Sequence, residues 1–264
     1  MDRLKSMRRF TVALVLVVIL GLGAGVGLGY MNTERLISDG LILGSIGALR
    51  YSVEVLSQAR DQAISRESQA EVEASQALVF LAASQDAADQ GQDPTPYLQR
   101  ARTHLQAAIG LDIDNAFLYS LLGDVEFAVG NVGSATVAYE RALEHEPDAV
   151  DALFGLGRID VQAGRTEEAL ETLHKAQELA PDHLGIALLL AEQLAATSRY
   201  EEAVEILTKV ELFDPRVPQV HFQLATYYHA LGQFDEALHR IERTLDLDPE
   251  FGPAHKLRER IQTP

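Results

Sequence analysis

No cysteine occurs anywhere in the 264 residues of the chain. That single absence excludes disulfides, thiol catalysis, cysteine-based zinc sites and a lipidated N-terminal cysteine. Basic residues are scarce as well: 22 Lys and Arg stand against 39 Asp and Glu, a formal net charge of −17. Residues 1–9 hold Arg3, Lys5, Arg8 and Arg9 against Asp2, so that segment is +3 and the remaining body −20. A body this acidic repels phosphate backbones, no basic stripe offsets it, and nucleic acid is not an expected partner. The charge serves solubility instead. Signatures of chemistry are missing too. The eight histidines, at 104, 145, 174, 183, 221, 229, 239 and 255, form no H-E-x-x-H or other helical metal pair. The one glycine-dense stretch lies inside an apolar run and cradles no phosphate. No Ser/His/Asp constellation follows from the order of residues, and pairing two of the many solvated carboxylates as acid and base would be arbitrary. Neither an enzymatic activity nor a cofactor nor a bound metal is expected.

What is present begins with an address. Residues 10–30 read FTVALVLVVILGLGAGVGLGY without a charge. About 20 helical residues rising roughly 1.5 Å each span the ~30 Å hydrocarbon core of a bilayer. Four basic residues precede the run, so residues 1–9 are expected in the cytoplasm and the rest of the chain outside it, in a bacterium the periplasm. A cleavable signal peptide is the rival reading, but the run exceeds the usual 7–15 apolar residues and no A-x-A site follows. Gly21, Gly25 and Gly29 form one small-residue face and Gly23 with Gly27 another, suited to close packing of a second transmembrane helix. Residues 31–66 then read as a juxtamembrane helical segment. Its seam of Ile42, Ile46, Leu49, Val53 and Leu56 is suited to packing within the chain, to a short dimer contact or to the membrane surface.

Apolar residues make up 47% of the chain, enough for a buried core, and the strongest signal in it is a repeat. Pro147, Pro181, Pro215 and Pro249 recur at one constant step, and Ala135, Ala169, Ala203 and Ala237 at the same one. Leu122, Leu156, Leu190 and Leu224 keep that step too, followed each time by Gly123, Gly157, Ala191 or Ala225. The small residues suit the crossing of two antiparallel helices. Gly130, Gly164 and Gly232 suit helix C-caps, and the pairs Glu167-Glu168, Glu201-Glu202 and Asp235-Glu236 suit helix N-termini.

These columns resemble the tetratricopeptide-repeat family, whose W-x2-L-G-x2-Y…A-x3-F…A…P pattern recurs every ~34 residues. Tyr119, Leu122, Gly123, Ala135, Tyr139, Ala142 and Pro147 carry the likeness in the first full unit. The resemblance implies an all-α fold, a right-handed solenoid of antiparallel helix pairs preceded here by the N-terminal transmembrane helix. An irregular first repeat is expected over 67–115, full repeats over 116–149, 150–183, 184–217 and 218–251, and a capping helix over 252–264. It also implies protein binding along the concave face formed by the first helix of each repeat. Carried over residue by residue, that face comprises Phe117, Ser120, Asp124 and Phe127, then Asp151, Phe154, Arg158 and Val161. Gly185, Leu188, Glu192 and Ala195 follow, then Gln219, Phe222, Thr226 and His229. The expected partner is a neutral or basic, partly apolar peptide or helix of another protein. With one Arg and no Asn along the face, a clamp for an acidic C-terminus is not expected. The expected role is a membrane-anchored scaffold or adaptor in envelope assembly, secretion or chaperoning. The alternatives are a self-associating membrane organiser built on the glycine face and a cleaved, soluble periplasmic chaperone.

Overall fold

The computed structural model describes residues 36–262, apart from 39, 42, 45–48, 64 and 112–114. The expected anchor at 10–30, its Gly21, Gly25 and Gly29, and the basic segment 1–9 lie outside the described residues. Among the described residues, no helix is long and apolar enough to cross a membrane. From Leu49 onward the described residues form twelve helices, divided between two compact units that meet in sequence at Ala149 and Val150.

The N-terminal unit holds α1 (Leu49–Gln62), α2 (Arg66–Asp89), α3 (Thr95–Gly110), α4 (Ala116–Ala128) and α5 (Val132–His145), each packed against the next. A reciprocal cap opens α2: the Ser68 amide donates to Ser65 Oγ at 3.1 Å and the Ser65 amide to Ser68 Oγ at 3.1 Å. Over 24 residues α2 shows no single apolar stripe, because α1 and α3 cover it on two sides and Val72, Ala77, Val79 and Phe80 are all buried. Leu49, Val53 and Leu56 of the α1 seam pack against Val72, Leu78 and Val79. That part of the seam is therefore used inside the chain, Ile42 and Ile46 lying outside the described residues, and burying Leu56 alone contributes roughly 2 kcal/mol. Ala101, Leu105 and Ala108 of α3 are fully buried, the positions that Ala135, Tyr139 and Ala142 take in α5 one repeat later. The α2–α3 pair is a repeat with an overlong first helix, closed by the link Gln90–Pro94 with Gly91 at φ +70°.

The C-terminal unit is regular. It pairs α6 (Val150–Gln162) with α7 (Thr166–Leu179), α8 (Leu184–Ala196) with α9 (Tyr200–Glu211) and α10 (Pro218–Ala230) with α11 (Phe234–Leu247). The last helix, α12 (Gly252–Gln262), packs on α11 and α10 through Ala254 and Leu257. Acidic pairs occupy the first turns of α7, α9 and α11, where negative charge complements the helix dipole.

Where the two helices of a repeat cross, size is traded between them. A Cβ on Gly123 would stand 2.4 Å from Tyr139 Cε1, and one on Gly157 would stand 2.7 Å from Leu173 Cδ2. The next two repeats hold Ala191 and Ala225 at that position, opposite Leu207 and Ile241. The turn between helices needs a left-handed residue at every repeat, and Gly130, Gly164 and Gly232 adopt φ of +84°, +71° and +74°. In the third repeat the same turn is made by Ser198 at φ +64°. One further departure falls in that repeat. The second helices α5, α7 and α11 end at His145, Leu179 and Leu247, in step, whereas α9 ends at Glu211. Leu212 and Phe213 are left unwound, 80% and 62% exposed.

Candidate partner-binding site

The residues expected to bind are the second, fifth, ninth and twelfth of α4, α6, α8 and α10, one stripe of each first helix. The two units treat this stripe differently.

In the N-terminal unit one of the four stripe residues of α4, Ser120, is buried and the other three are half-buried and engaged with the rest of the unit. Phe117 is half-buried and packs against two apolar clusters of the unit. Ser120 is 2% exposed and its hydroxyl donates to the Ala116 carbonyl at 3.1 Å. Asp124 accepts a hydrogen bond from the Tyr139 hydroxyl at 2.8 Å, so this carboxylate ties α4 to α5. Phe127 is half-buried.

In the C-terminal unit the stripe stays at the surface. Phe154 of α6 is half-buried: its ring meets His183 at 5.4 Å between centroids, tilted 59°, and carries the Arg158 guanidinium 5.7 Å from its centre. Phe222 of α10 repeats the arrangement, with the Phe251 ring at 5.1 Å and 49°. The step from 154 to 183 equals that from 222 to 251, so in both cases the second ring stands at the entrance to the next first helix. Each phenylalanine thus seals a joint between repeats with one side of its ring and remains partly open on the other. Leu188, at the same position of α8, is also half-buried. Thr226 is exposed and its hydroxyl donates back to the Phe222 carbonyl at 2.9 Å. His229 stands edge-on to Phe234 at 5.7 Å. Among the described residues, no group of three or more His, Cys, Asp or Glu could hold a metal ion.

Charge on this stripe is uneven. Glu192 is exposed and makes no ion pair among the described residues. Its nearest consequence is on Tyr227 of α10, which is 6% exposed. Burial, together with the Glu192 carboxylate nearby, pushes the Tyr227 hydroxyl up to about 12, so it stays protonated throughout the physiological range. The Tyr200 ring lies 6.3 Å from that of Tyr227. Tyr227 and Tyr200 were not legible as part of the site, because neither falls on the expected stripe. The partners of Phe154 and Phe222 were: an aromatic or His at the same step from each phenylalanine, twice, is a signal.

Two histidines of the C-terminal unit tie side chain to backbone at the same place in successive repeats. His221 Nε2 lies 2.9 Å from the Pro215 carbonyl and His255 Nε2 2.8 Å from the Pro249 carbonyl, the same bond one repeat apart. A carbonyl only accepts, so each ring carries its proton on Nε2. Nδ1 then accepts, from Arg240 at 3.4 Å and from Arg258 at 3.1 Å.

With helix pairs, turns and joints all recurring at one step, comparison with known families is decisive. The tetratricopeptide-repeat profile matches residues 126–192, 161–221 and 194–261, together just over half of the chain. The chain belongs to the tetratricopeptide-repeat family. Proteins of this family mediate protein–protein interaction, and the all-helical solenoid expected from the repeats is the fold observed. Among solved structures, PilF of Pseudomonas aeruginosa matches with a TM-score of 0.70 at 16% identity, over 88% of this chain and 99% of that one. YrrB, described as a tetratricopeptide-repeat protein with an unusual peptide-binding site, matches with a TM-score of 0.53 at 21% identity, over 69% and 92%. MamA from Desulfovibrio magneticus RS-1 matches with a TM-score of 0.52 at 16% identity, over 67% and 97%. At such identities the likeness shows the fold alone. No curated protein matches the chain in sequence.

Proposed function

We propose that this tetratricopeptide-repeat protein is a membrane-tethered adaptor. Residues 10–30 anchor it, residues 1–9 stay in the cytoplasm, and the repeats stand outside, where the C-terminal unit captures a peptide or helix of another protein. One observation carries the binding half of this reading: Phe154, Leu188 and Phe222 recur at one position of three successive first helices and all remain half-buried. Apolar side chains in register and partly open to solvent are anchors for a partner segment. YrrB lends support as a protein of the same fold described as binding peptide. The tether rests on the uncharged run 10–30 and the four basic residues before it.

The test is crosslinked affinity purification of the full-length chain from detergent-solubilised membranes, wild type beside Phe154→Glu/Phe222→Glu, with circular dichroism to verify the fold. A protein captured by the wild type and lost in the double variant supports the adaptor. If both versions bring down the same proteins, or only the chain itself, the groove reading fails and self-association through Gly21, Gly25 and Gly29 takes its place. Protease protection tests the tether separately. In a bacterial host, the repeats should be cut in spheroplasts and spared in inverted membrane vesicles. Mature chains starting near residue 30 by intact mass would mean a cleaved signal and a soluble protein.

A further inference from the structure

The C-terminal unit carries an apolar row that its own folding does not use. Leu179 closes α7, and its counterpart one repeat later, Phe213, follows α9; they are 41% and 62% exposed, with Leu212 beside them at 80%. A lone exposed leucine is ordinary, whereas large apolar side chains at matching turns of successive repeats mark a surface to be covered. Neither turn is a loose end. The Gln177 side-chain amide donates to the Pro181 carbonyl at 2.9 Å, and the buried His221 ring holds the Pro215 carbonyl at 2.9 Å. The Phe213 and Asp214 amides donate to the Val210 carbonyl at 3.0 and 3.3 Å. With these donors satisfied, covering the side chains of the row does not strand them.

Charge says what covers it. Asp182 stands three residues past Leu179 and Arg216 three past Phe213, so one position of two successive repeats holds opposite charges. Both are exposed, and neither makes an ion pair among the described residues. A two-fold axis between the turns would set Leu179 against the Phe213 of a second copy and Asp182 beside that copy's Arg216, with both contacts repeated in reverse. Because the same two turns meet in each direction, the match holds whatever the distance between them. Laying each turn on its own counterpart would instead oppose Asp182 to Asp182 and Arg216 to Arg216. An anionic lipid surface would be repelled by Asp182 and Asp214, both exposed on these turns.

We propose that two copies of this chain pair edge to edge through the turns that follow α7 and α9, the Leu179, Leu212 and Phe213 side chains of one against those of the other, with Asp182 paired to Arg216 across the interface. The surface is short, so the contact is weak between free chains. Tethering through residues 10–30, as proposed above, concentrates the copies in one plane and favours it. None of Phe154, Leu188 and Phe222 belongs to the row, so each copy keeps its stripe for a partner.

The absence of cysteine gives the test a silent background. Two differently tagged full-length forms, one Leu179→Cys and one Phe213→Cys, are reconstituted together in phosphatidylcholine vesicles and mildly oxidised. A disulfide should join the two forms, and be about fivefold scarcer when either form is oxidised alone. The second face of that pair, Phe213 against Leu179, stays intact, so the cysteines do not abolish the contact they report. Asp182→Arg added to the Leu179→Cys form should lower the yield about fivefold, and Arg216→Asp added to the other form should restore it. Leu212→Ser in both forms should lower it about tenfold. These positions are all exposed, and thermal unfolding verifies that the variants fold. No disulfide in the mixture, equal yields when each form is oxidised alone, or indifference to Asp182→Arg would overturn the proposal. Any of these would leave the groove reading standing.

Discussion

The same four positions of the first helix serve two ends in this molecule. In the N-terminal unit they serve folding: Phe117 packs against two apolar clusters, Ser120 is sealed, and Asp124 holds Tyr139. In the C-terminal unit they stay available, with Phe154, Leu188 and Phe222 half-buried and Glu192 and Thr226 exposed. The difference follows from regularity. The overlong α2 brings α1 and extra apolar surface against α4's neighbourhood, and the stripe of α4 is consumed covering it. Where repeats are all of one length, each first helix is covered by its own second helix and its neighbours, and one stripe is left over. An irregular repeat thus acts as an end-piece while regular ones present a surface.

The largest effect should come from the crossing of α4 and α5. Gly123→Ala would drive a methyl into Tyr139 and lower stability by about 3 kcal/mol in urea unfolding. Adding Tyr139→Leu, the pairing that Ala191 and Leu207 already use in the third repeat, should recover part of that loss. An unaffected Gly123→Ala would mean that the crossing is looser than the close approach to Tyr139 implies.

Phe117→Glu attacks the comparison directly. Placing a carboxylate among Leu121, Leu49 and their neighbours should lower stability by about 2 kcal/mol and spare peptide binding, whereas Phe222→Glu should do the reverse. Loss of binding with full stability in Phe117→Glu would show that the N-terminal stripe also faces a partner.

How far the chain disclosed this in advance depends on which interactions recur. The columns Ala135 to Ala237 and Pro147 to Pro249 repeat four times, and helices α4 to α11 follow from them. The packing of Phe117 could not be read, because it depends on α1, which belongs to no repeat, and on the overlong α2. Nor could the role of Asp124, since only the first full repeat has a tyrosine, Tyr139, where the others hold Leu173, Leu207 and Ile241. Ser198 could have been read: the step from Gly130 to Gly164 to Gly232 skips one position, and it is this one. Tyr227 was hidden because burial and a carboxylate on another helix, not any motif, set it apart.

That tyrosine gives a smaller, pH-dependent prediction. The tenth residue of α4 is Val125, fully buried, where α10 has Tyr227. Folding raises the Tyr227 hydroxyl from 10.0 to about 12, so the unfolded chain releases this proton first as pH rises. Its contribution is complete below pH 10, falls through the interval between 10 and 12, and is gone above it. Wild type should lose about 1–2 kcal/mol more than Tyr227→Phe across that interval, the open hydroxyl end keeping the effect below its full value. Parallel profiles for the two proteins would remove Glu192 and burial as influences on this ring.

The smallest effect sets one turn in each unit against the other. Ser198 holds φ +64° where Gly130 holds +84°, and its amide already donates to the Ala195 carbonyl at 2.9 Å, a bond that glycine would keep. An L-residue in this conformation costs on the order of 1 kcal/mol. Glycine relieves it, but also loosens the unfolded chain, which offsets part of the gain. Ser198→Gly should therefore raise stability by about 0.5 kcal/mol, and Gly130→Ser should lower it by about as much. Chemical denaturation of both variants beside wild type resolves changes of this size when the slopes agree. Two changes of opposite sign would establish that the turn makes the same demand in both units, and that the third repeat meets it less well. If Ser198→Gly proved destabilising instead, the serine would be contributing something to its turn that the backbone angle does not explain.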